Sequence, residues 1–270
     1  MADRFSLHVN DVNSVAENLL NQFKVIGGRN FLNHHEANYF QPSDGIEIER
    51  SMIGHMLTRY IWQGNISAPV KEILENGGVY VLDVGCEAGY WILDVANDFP
   101  KSTFVGIDIV PNNFPQEHDR THNVGFLEHN VLNGIPFPSE TFDYVHMALM
   151  FLAFTEDQYL KVIHELVRVT KHNGWIEIME IEYKYINQGN STKFVQDAVL
   201  KKLKEEGAGI DITSRIPDFL RLIDNITDIE RKEVIVPLGG WYGRFGEYVS
   251  TCGTPMFNVS FYLTLNMFRY

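Results

Sequence analysis

The chain has very few cysteines and no long apolar run. Only Cys86 and Cys252 occur among its 270 residues, which gives no basis for a disulfide framework and is typical of a reducing compartment. No stretch approaches the roughly 18 consecutive apolar residues that a membrane span needs, and the first residues lack the apolar core of a secretory signal. We therefore expect a cytoplasmic or nuclear protein without a membrane partner.

Positive charge is also scarce in this sequence. The 22 Lys and Arg residues stand against 35 Asp and Glu residues, so the formal net charge is -13 at pH 7. This balance argues against a general affinity for nucleic acid or for anionic membranes, because both attract basic surfaces. Apolar residues make up 45% of the chain, enough for one large α/β core with an added segment.

A strand, a glycine turn and a helix follow one another in the first half of the chain. The apolar run 79–84 predicts a buried strand, Gly85 and Gly89 predict a turn, and apolar residues at helical spacing over 90–99 predict a helix. A second apolar run then ends on Asp108, about twenty residues beyond the glycines, which is the order of a nucleotide-binding βαβ unit.

The residue types in this unit suit a nucleoside ligand. Gly85 and Gly89 let the backbone turn sharply and let a ligand approach the main chain, while the following helix offers unpaired N–H groups. Asp108, at the carboxyl end of its strand, can accept hydrogen bonds from both hydroxyls of a ribose. Similar turns occur in α/β proteins without such a ligand, so the acid is what favours a nucleoside site.

The glycine spacing separates two classes of nucleotide site. The turn reads Asp83-Val84-Gly85-Cys86-Glu87-Ala88-Gly89, which is neither the G-x-G-x-x-G dinucleotide fingerprint of a dehydrogenase nor a phosphate loop with its lysine. It resembles motif I of the class I S-adenosylmethionine (SAM)-dependent methyltransferases, D/E-x-G-x-G-x-G. The resemblance implies SAM as the cofactor, bound in this region by Asp83, Gly85, Cys86, Gly89, Asp108 and Ile109.

Glu87 departs from this motif, because it stands where the middle glycine usually lies. A carboxylate about 4 Å from the methionine carboxylate of SAM costs roughly 4 kcal/mol at an effective dielectric near 20. A positive φ at this position adds about 1–2 kcal/mol. Turning Glu87 toward solvent, or pairing it with the SAM ammonium group, removes the electrostatic part of this cost.

Residues 1–76 are expected to form a helical cap or lid, with one helix predicted over 48–62 by its apolar stripe. The segment that contains Tyr39, Pro42, Asp44, Glu47, Arg50 and His55 resembles Y-x-x-P-N-D-x-x-E-x-x-R-x-x-x-x-H of fungal class I methyltransferases, which include small-molecule methyltransferases and regulators of secondary metabolism. The resemblance makes Tyr39, Arg50 and His55 candidates for the lid and the substrate pocket. The alternatives are a packing role for Tyr39, a surface ion pair for Arg50 and a satisfied helix histidine at 55.

Two later strands are expected to bring further residues to the site. The end of the strand 123–131 resembles the point where this fold holds adenine, so Asn130 is expected to face the adenine amino group and the Val131 amide a ring nitrogen. The passage from Thr141 to Met147 resembles the family's fourth strand, with His146 and Met147 at its carboxyl end and Met147 as a further cofactor contact. An isolated Asn is often only a turn former.

His146 is the candidate catalytic residue. Its unperturbed pKa near 6.5 suits proton removal from a hydroxyl, acid or amine acceptor, and a pocket or packing role is the alternative. Many small-molecule methyltransferases need no strong base, because alignment of the nucleophile with the methyl group supplies much of the acceleration. The N-P-P-Y/F element of DNA-adenine and glutamine methylases does not occur here. His118 and His122 lack a third ligand nearby, so no metal site is expected.

The remainder of the chain predicts one clear helix and an altered end. Thr155 and Gln158 predict a capping box, with Gly174 as the end of that helix. The passage around 165–171 resembles the family's E-L-x-R-V-x-K signature, and the resemblance ceases near residue 249. We expect the seventh strand to be absent or altered, with 258–270 as a shortened substitute strand or the altered end of a truncated product. A missing strand would leave an open sheet edge, which favours dimerisation, poor solubility or a different closure.

The sequence thus predicts a doubly wound, mostly parallel α/β sheet of the class I methyltransferase type. Its expected parts are an N-terminal helical cap (1–76), a SAM-binding core (77–249) and a divergent end (250–270). The leading hypothesis is methyl transfer to a small-molecule acceptor through an oxygen, nitrogen or carboxylate nucleophile. The alternative is a catalytically impaired, methyltransferase-like regulatory protein with a homodimer or protein partner, suggested by Glu87 and by Ala148, where related sequences often carry Arg.

Overall fold

The computed structural model describes residues 23–33, 42–252 and 259–270. The strands are β1 Phe23–Ile26, β2 Arg29–Leu32, β3 Tyr80–Val84, β4 Thr103–Asp108, β5 Val124–Glu128, β6 Phe142–Ala148, β7 Thr170–Ile186, β8 Thr227–Leu238 and β9 Val259–Arg269. The helices are α1 Gly45–Trp62, α2 Lys71–Asn76, α3 Tyr90–Asp98, α4 Glu156–Val169, α5 Asn190–Glu205, α6 Ile212–Arg221 and α7 Gly243–Cys252. None of the helices in these ranges is long and apolar enough to cross a membrane.

Seven strands form one sheet in the order β5-β4-β3-β6-β7-β9-β8. The five strands from β5 to β7 are parallel, and β9 is antiparallel to both of its neighbours. The predicted doubly wound, mostly parallel sheet is therefore confirmed. Its chain order reverses between β4 and β6 on either side of β3, which is the place where open α/β sheets bind ligands.

The core lies on both faces of the sheet because the central strands are apolar on both sides. In β3, Val81 belongs to a cluster with α3, whereas Leu82 and Val84 belong to a cluster with α4 and α6, and all three are fully buried. A parallel strand covered on both faces carries such a continuous apolar run.

Helix α4 begins as predicted and ends earlier. The Thr155 side chain and Gln158 form the expected capping box, but the helix ends at Val169 rather than near Gly174. Thr170 is extended, its hydroxyl bonds back to the Leu166 carbonyl at 2.7 Å, and it pairs with Phe142 of β6. Pairing with the sheet therefore ends the helix before the glycine is reached.

Strand β9 corrects the expectation that the seventh strand is absent or altered. It has 11 residues and lies between β7 and β8, paired with β7 from Trp175↔Arg269 to Ile186↔Ser260 and with β8 as far as Leu238↔Val259. The β7 edge is therefore covered, which removes the reason for expecting dimerisation. β9 also shows that the 250–270 segment contributes to the core sheet.

The N-terminal segment contains a hairpin as well as the predicted helix. Strands β1 and β2 pair across a turn in which Gly27 and Gly28 both have positive φ. Helix α1 starts at the N-cap Asp44, whose side chain accepts from the Glu47 N–H, and Asp44 also pairs with Arg29 of β2. Tyr39 lies outside the described residues.

We predict that the buried side chains of β9 carry much of the stability of this end of the sheet. Replacing Leu265, which is 1% exposed, by Ala should lower the free energy of unfolding by about 2–5 kcal/mol, because it leaves a cavity in the apolar cluster on the α3 face of the sheet. The matched control is Ile235→Ala on β8, where a side chain that is 54% exposed should cost less than about 1 kcal/mol. Urea titration measures both, and equal losses would contradict a buried β9.

Candidate functional site

A cavity of about 200 Å³ lies at the carboxyl ends of the central strands, with α1 as one wall. Residues on or just after β3, β4, β5, β6 and β7 line it, so it extends across five neighbouring strands. The sequence-predicted residues that line it are Asp83, Gly85, Cys86, Asp108, Ile109, Asn130, Val131, His146, Arg50 and His55.

The glycine turn is shaped by hydrogen bonds to the backbone of β4 and by close contact with the Met150 side chain. Gly85 has a φ of 74°, and both its N–H and that of Cys86 donate to the Ile107 carbonyl of β4, at 2.9 and 3.1 Å. A Cβ on Gly85 would overlap the sulfur of Met150. The positive φ therefore favours glycine here, whereas the flexible end of the Met150 side chain can shift to make room for a Cβ.

Gly89 serves the packing of α3 rather than the cavity lining. It is the N-cap of α3 with a φ of 77°, and an added Cβ would lie 2.7 Å from the Phe126 ring. The structure does not bring Gly89 to the cavity surface.

Asp108 lies at the end of β4 and closes the turn from the other side. Its Oδ2 accepts from the Glu87 N–H and its Oδ1 from the Val110 N–H, both at 2.9 Å. Burial raises the pKa of the Asp108 carboxyl, and these two hydrogen bonds oppose that rise. A carboxylate oxygen can accept more than one hydrogen bond, so each Asp108 oxygen can also accept a hydrogen bond from a ligand.

Asn130 and Val131 lie beyond β5, beside Asp108 in the cavity wall. The Asn130 Oδ1 accepts from the Leu132 N–H at 3.0 Å, whereas its Nδ2 is buried and has no partner within the described ranges. The unused atom is a donor. It suits a ring nitrogen better than the adenine amino group that the sequence suggested for it.

Glu87 adopts the positive φ that its place in the motif requires, 48°. Its Oε2 accepts a short hydrogen bond from the Ser51 hydroxyl of α1, and its Oε1 is buried without a partner in the described part of the chain. Burial raises the pKa of Glu87 to about 7, although Ser51 and the nearby Arg50 act in the opposite direction. The side chain therefore points to α1 and not to solvent.

Helix α1 is fixed to α3 by charged side chains. The His55 Nε2 and the Arg59 Nη1 both lie 2.8 Å from Asp94 Oδ2, while Arg50 pairs with Glu47 at 2.7 Å on the same helix. Arg50 and His55 line the cavity as the lid prediction requires. They also form the ion pair and the helix contact that were the alternatives, so the geometry accommodates both interpretations.

His146 lies beside Asp83 in the middle of the sheet. The two residues are register partners on β6 and β3, and Nδ1 of the histidine is 2.8 Å from Asp83 Oδ1, with both side chains 5% exposed. The Trp91 ring stacks on the imidazole with centroids 3.7 Å apart and planes 6° apart. The histidine is thereby held in one orientation at the cavity surface.

Met147 is not brought to the cavity. It is fully buried in the apolar cluster on the side of α4 and α6. Successive side chains of a strand point to opposite faces, so a strand that directs His146 to the cavity turns Met147 away from it. The sequence prediction placed both at the strand end and did not take this alternation into account.

The cavity-lining residues that sequence reasoning missed include Ser51, Trp91 and Glu177. Glu177 is 4% exposed on β7, and an acid inside the apolar run 175–181 was a signal that could have identified it. Trp91 was assigned only to the helix stripe, and Ser51 carries no distinctive pattern.

Glu180, on the opposite face of β7, holds the loop after β6. Its carboxyl group accepts from the N–H groups of Met150 and Phe151 at 2.9 and 3.1 Å and from the Tyr159 hydroxyl at 2.6 Å. Burial raises the pKa of Glu180 to about 8. Met150, which covers Gly85, is positioned through this carboxyl.

No three metal-binding side chains converge within the described ranges. His118 and His122 are both exposed. Several buried polar atoms of the cavity residues have no partner among the described residues. They include Trp62 Nε1, Asn65 Oδ1, Glu87 Oε1 and Asn130 Nδ2, which can therefore hydrogen-bond to an organic ligand.

Comparison with known proteins identifies a domain and several fungal relatives. Residues 81–174 match a family model described as a methyltransferase domain. The chain is 28% identical over 194 residues to N-methyltransferase verN of Clonostachys rogersoniana, 30% over 184 residues to N-methyltransferase tcpN of Claviceps purpurea, and 30% over 170 residues to the secondary metabolism regulator laeA of Coprinopsis cinerea.

These alignments cover only part of this chain and only part of each relative. They cover 65%, 65% and 62% of this chain and 67%, 64% and 41% of the relatives' own lengths, in the same order. Among solved structures, the plantazolicin methyltransferase BpumL, crystallised with a triazolic desmethylPZN analog and SAH, has a TM-score of 0.50 and 13% identity over 82% of this chain and 89% of that one. At this identity the likeness concerns the fold alone.

We predict that Glu87 makes stability depend on pH. Its pKa is about 7 in the folded chain and near 4.5 when unfolded, so between these values the folded state keeps a proton that the unfolded state has lost. Its contribution is present below pH 4.5 and is lost as pH rises through 7. Relative to Glu87→Gln, the wild-type chain should lose on the order of 2–3 kcal/mol of unfolding free energy across this window.

Urea titrations at pH 5 and pH 7.5 measure this difference. Glu180 acts with the same sign in both proteins and cancels. The control Glu75→Gln alters an exposed carboxylate of α2 and should leave the pH dependence of the wild type unchanged. A Gln variant at position 87 with the wild-type pH dependence would show that this carboxyl is not buried.

Proposed function

We propose that this chain is a class I SAM-dependent methyltransferase, which transfers a methyl group from SAM to an oxygen, nitrogen or carboxylate of a small molecule. The observation that carries the proposal is the position of Asp108 at the cavity edge, across from the glycine turn. Its two oxygens contact only backbone N–H groups of the described residues, which leaves them able to accept a pair of ribose hydroxyls.

The residues present fit SAM. The ligand carries hydroxyls, an ammonium group, a carboxylate and adenine ring nitrogens, and the cavity offers unmatched acceptors and donors for such groups. Glu87 Oε1 is a buried acceptor for the ammonium group, and Asn130 Nδ2 is a buried donor for a ring nitrogen. A cofactor that is cationic overall also offsets the raised pKa values of Glu87 and Asp108.

In the proposed complex Asp108 and Ile109 hold the ribose, Asn130 and Val131 hold adenine, and Gly85 and Cys86 lie along the methionine part. Asp83 acts indirectly, by orienting His146. Gly89 supplies the backbone conformation at the start of α3, and Met147 packs in the core beneath β6. When bound, SAM supplies a sulfonium methyl group that is transferred in line to a nucleophile. The chain contributes mainly by orienting the acceptor and excluding water beneath α1.

His146 is the proposed proton acceptor. The Asp83 carboxylate accepts from Nδ1, which leaves Nε2 as the nitrogen with a free lone pair. Trp91 prevents rotation of the ring by stacking on it. Tyr39, Arg50 and His55 are proposed to complete the lid, the first of them from outside the described residues.

The names of two relatives favour nitrogen as the acceptor atom. The proteins verN and tcpN are named N-methyltransferases, and the alignment with each covers 65% of this chain. We propose a small-molecule substrate of this kind, handled by a protein without a membrane-bound or nucleic-acid partner.

A second candidate function is regulatory, with weak or no SAM binding. Two features of Glu87 favour this second function, namely its positive φ and its buried carboxyl group with one oxygen that lacks a partner in the described residues. Both raise the free energy of the turn above that of the same turn with glycine at position 87. The relative laeA is named a secondary metabolism regulator. A homodimer or a regulatory partner protein belongs to this alternative.

We predict that S-adenosylhomocysteine (SAH) binds with micromolar affinity and that Asp108→Ala weakens binding by about 100-fold or more. Hydrogen bonds to a charged group contribute about 1.5–3 kcal/mol each, and the variant removes those to both hydroxyls. Isothermal titration calorimetry measures the affinities.

The control for this experiment is Asp98→Ala, at the exposed end of α3, which should bind SAH as the wild type does. Circular dichroism verifies that both variants are folded. A wild-type chain that binds no SAH at millimolar concentration would sink the enzymatic proposal and leave the regulatory one.

A further inference from the structure

The cavity has a second half, away from Asp108, over strands β6 and β7. Glu177 of β7 is the register partner of His146 of β6, so their backbones are adjacent, about 5 Å apart. Met179, two residues along β7 on the same face, and Ser67, whose N–H donates to Glu177, line this half with them. Because three strand spacings separate β4 from β7, it lies roughly 14 Å from the strand that carries Asp108.

Glu177 is a buried carboxylate with one saturated oxygen and one unused oxygen. Its Oε2 accepts from the N–H groups of Ser67 and Ala68, at 3.1 and 2.8 Å, and from the Tyr144 hydroxyl at 2.9 Å. All three of these hydrogen bonds end on Oε2, and no described residue donates to Oε1. The three donors hold the group rigidly while Glu177 forms part of the cavity surface.

The donors to Glu177 are uncharged, so its negative charge is not neutralised by them. Burial raises the pKa of Tyr144 well above its usual value, which keeps its hydroxyl a neutral donor. The arginines of the cavity wall lie on α1 and are engaged elsewhere, Arg50 with Glu47 and Arg59 with Asp94. A buried carboxylate without a cation favours a positively charged ligand and disfavours an anionic one.

We propose that Glu177 Oε1 binds the protonated amine of the methyl acceptor, so that this chain acts on primary or secondary amines and not on carboxylic acids. This inference rests on the proposed methyl transfer and narrows its substrate class. The Asp108 half holds the donor, and the Glu177 half holds the acceptor. Glu177 then determines specificity, with His146 alongside it.

The reaction balances with these two residues. The bound ammonium group gives one proton to His146 Nε2, and the lone pair that it releases forms the new N–C bond as the S–C bond breaks. The electron pair of the broken bond stays on sulfur. The methylated nitrogen takes up the positive charge that sulfur loses, so Glu177 faces a cationic amine in the substrate and again in the product.

Calorimetry with two probes of similar size tests the assignment. Benzylamine is cationic and benzoate is anionic at pH 7, and each is titrated into the wild-type chain saturated with SAH. We expect benzylamine to bind at least tenfold more tightly than benzoate. Glu177→Gln should lower benzylamine affinity at least tenfold and remove the preference, with SAH affinity unchanged.

Two further variants separate charge from structure. Glu177→Asp keeps the charge and should keep the preference for benzylamine, and it also serves as the test if the Gln variant does not fold. Glu72→Gln removes an exposed carboxylate from α2, outside the cavity, and should behave as the wild type does.

Benzoate binding as tight as that of benzylamine would overturn the inference. Full benzylamine affinity in Glu177→Gln, or a chain that binds SAH but no benzylamine at millimolar concentration, would do the same. A wild-type chain that fails to bind SAH contradicts the methyltransferase proposal instead, so the two failures are distinguished by the SAH titration that precedes the probes.

Discussion

The buried hydrogen bond between Asp83 and His146 connects the centre of the sheet to the cavity. A carboxylate that is 3% exposed needs a partner, and the pairing of β3 with β6 supplies one directly across the strands. Trp91 covers the imidazole and donates from Nε1 to the Asn65 carbonyl at 2.7 Å, which fixes the loop that follows α1. The position of the cavity wall therefore follows from the register of two central strands.

The cavity is acidic, and its acids are held in different ways. Asp108 accepts two backbone N–H groups, Glu87 accepts one hydroxyl, and Glu177 accepts three donors on a single oxygen. Arrangements of this kind orient a carboxylate without neutralising it. Such a surface favours cationic ligands, and both the proposed methyl donor and the proposed acceptor carry a positive charge.

The sequence predicted the part of the fold that depends on local patterns. The βαβ unit, Asp108 at its strand end and the Thr155 capping box all follow from neighbouring residues, and the structure places them as expected. The full length and the pairing of β9 were not predicted, because its place between β7 and β8 is decided by pairing with distant segments.

Three errors, two of them at the site, also have physical causes. Met147 was assigned to the cavity although the alternation of a strand directs it into the core beside His146. Glu177 was overlooked because its role depends on donors from 109 and 110 positions away and from the neighbouring strand. The end of α4 was misplaced since sheet pairing at Thr170 competes with helix propagation.

The contact between α1 and α3 bears on how ligands are exchanged. The pair Arg59–Asp94 is more than one third exposed on both sides, whereas the His55 side chain that shares Asp94 is only 14% exposed. Dissolved ions screen the first contact far more than the second. In the proposed reaction, release of SAH should therefore become faster as ionic strength rises, because α1 separates from α3 more often.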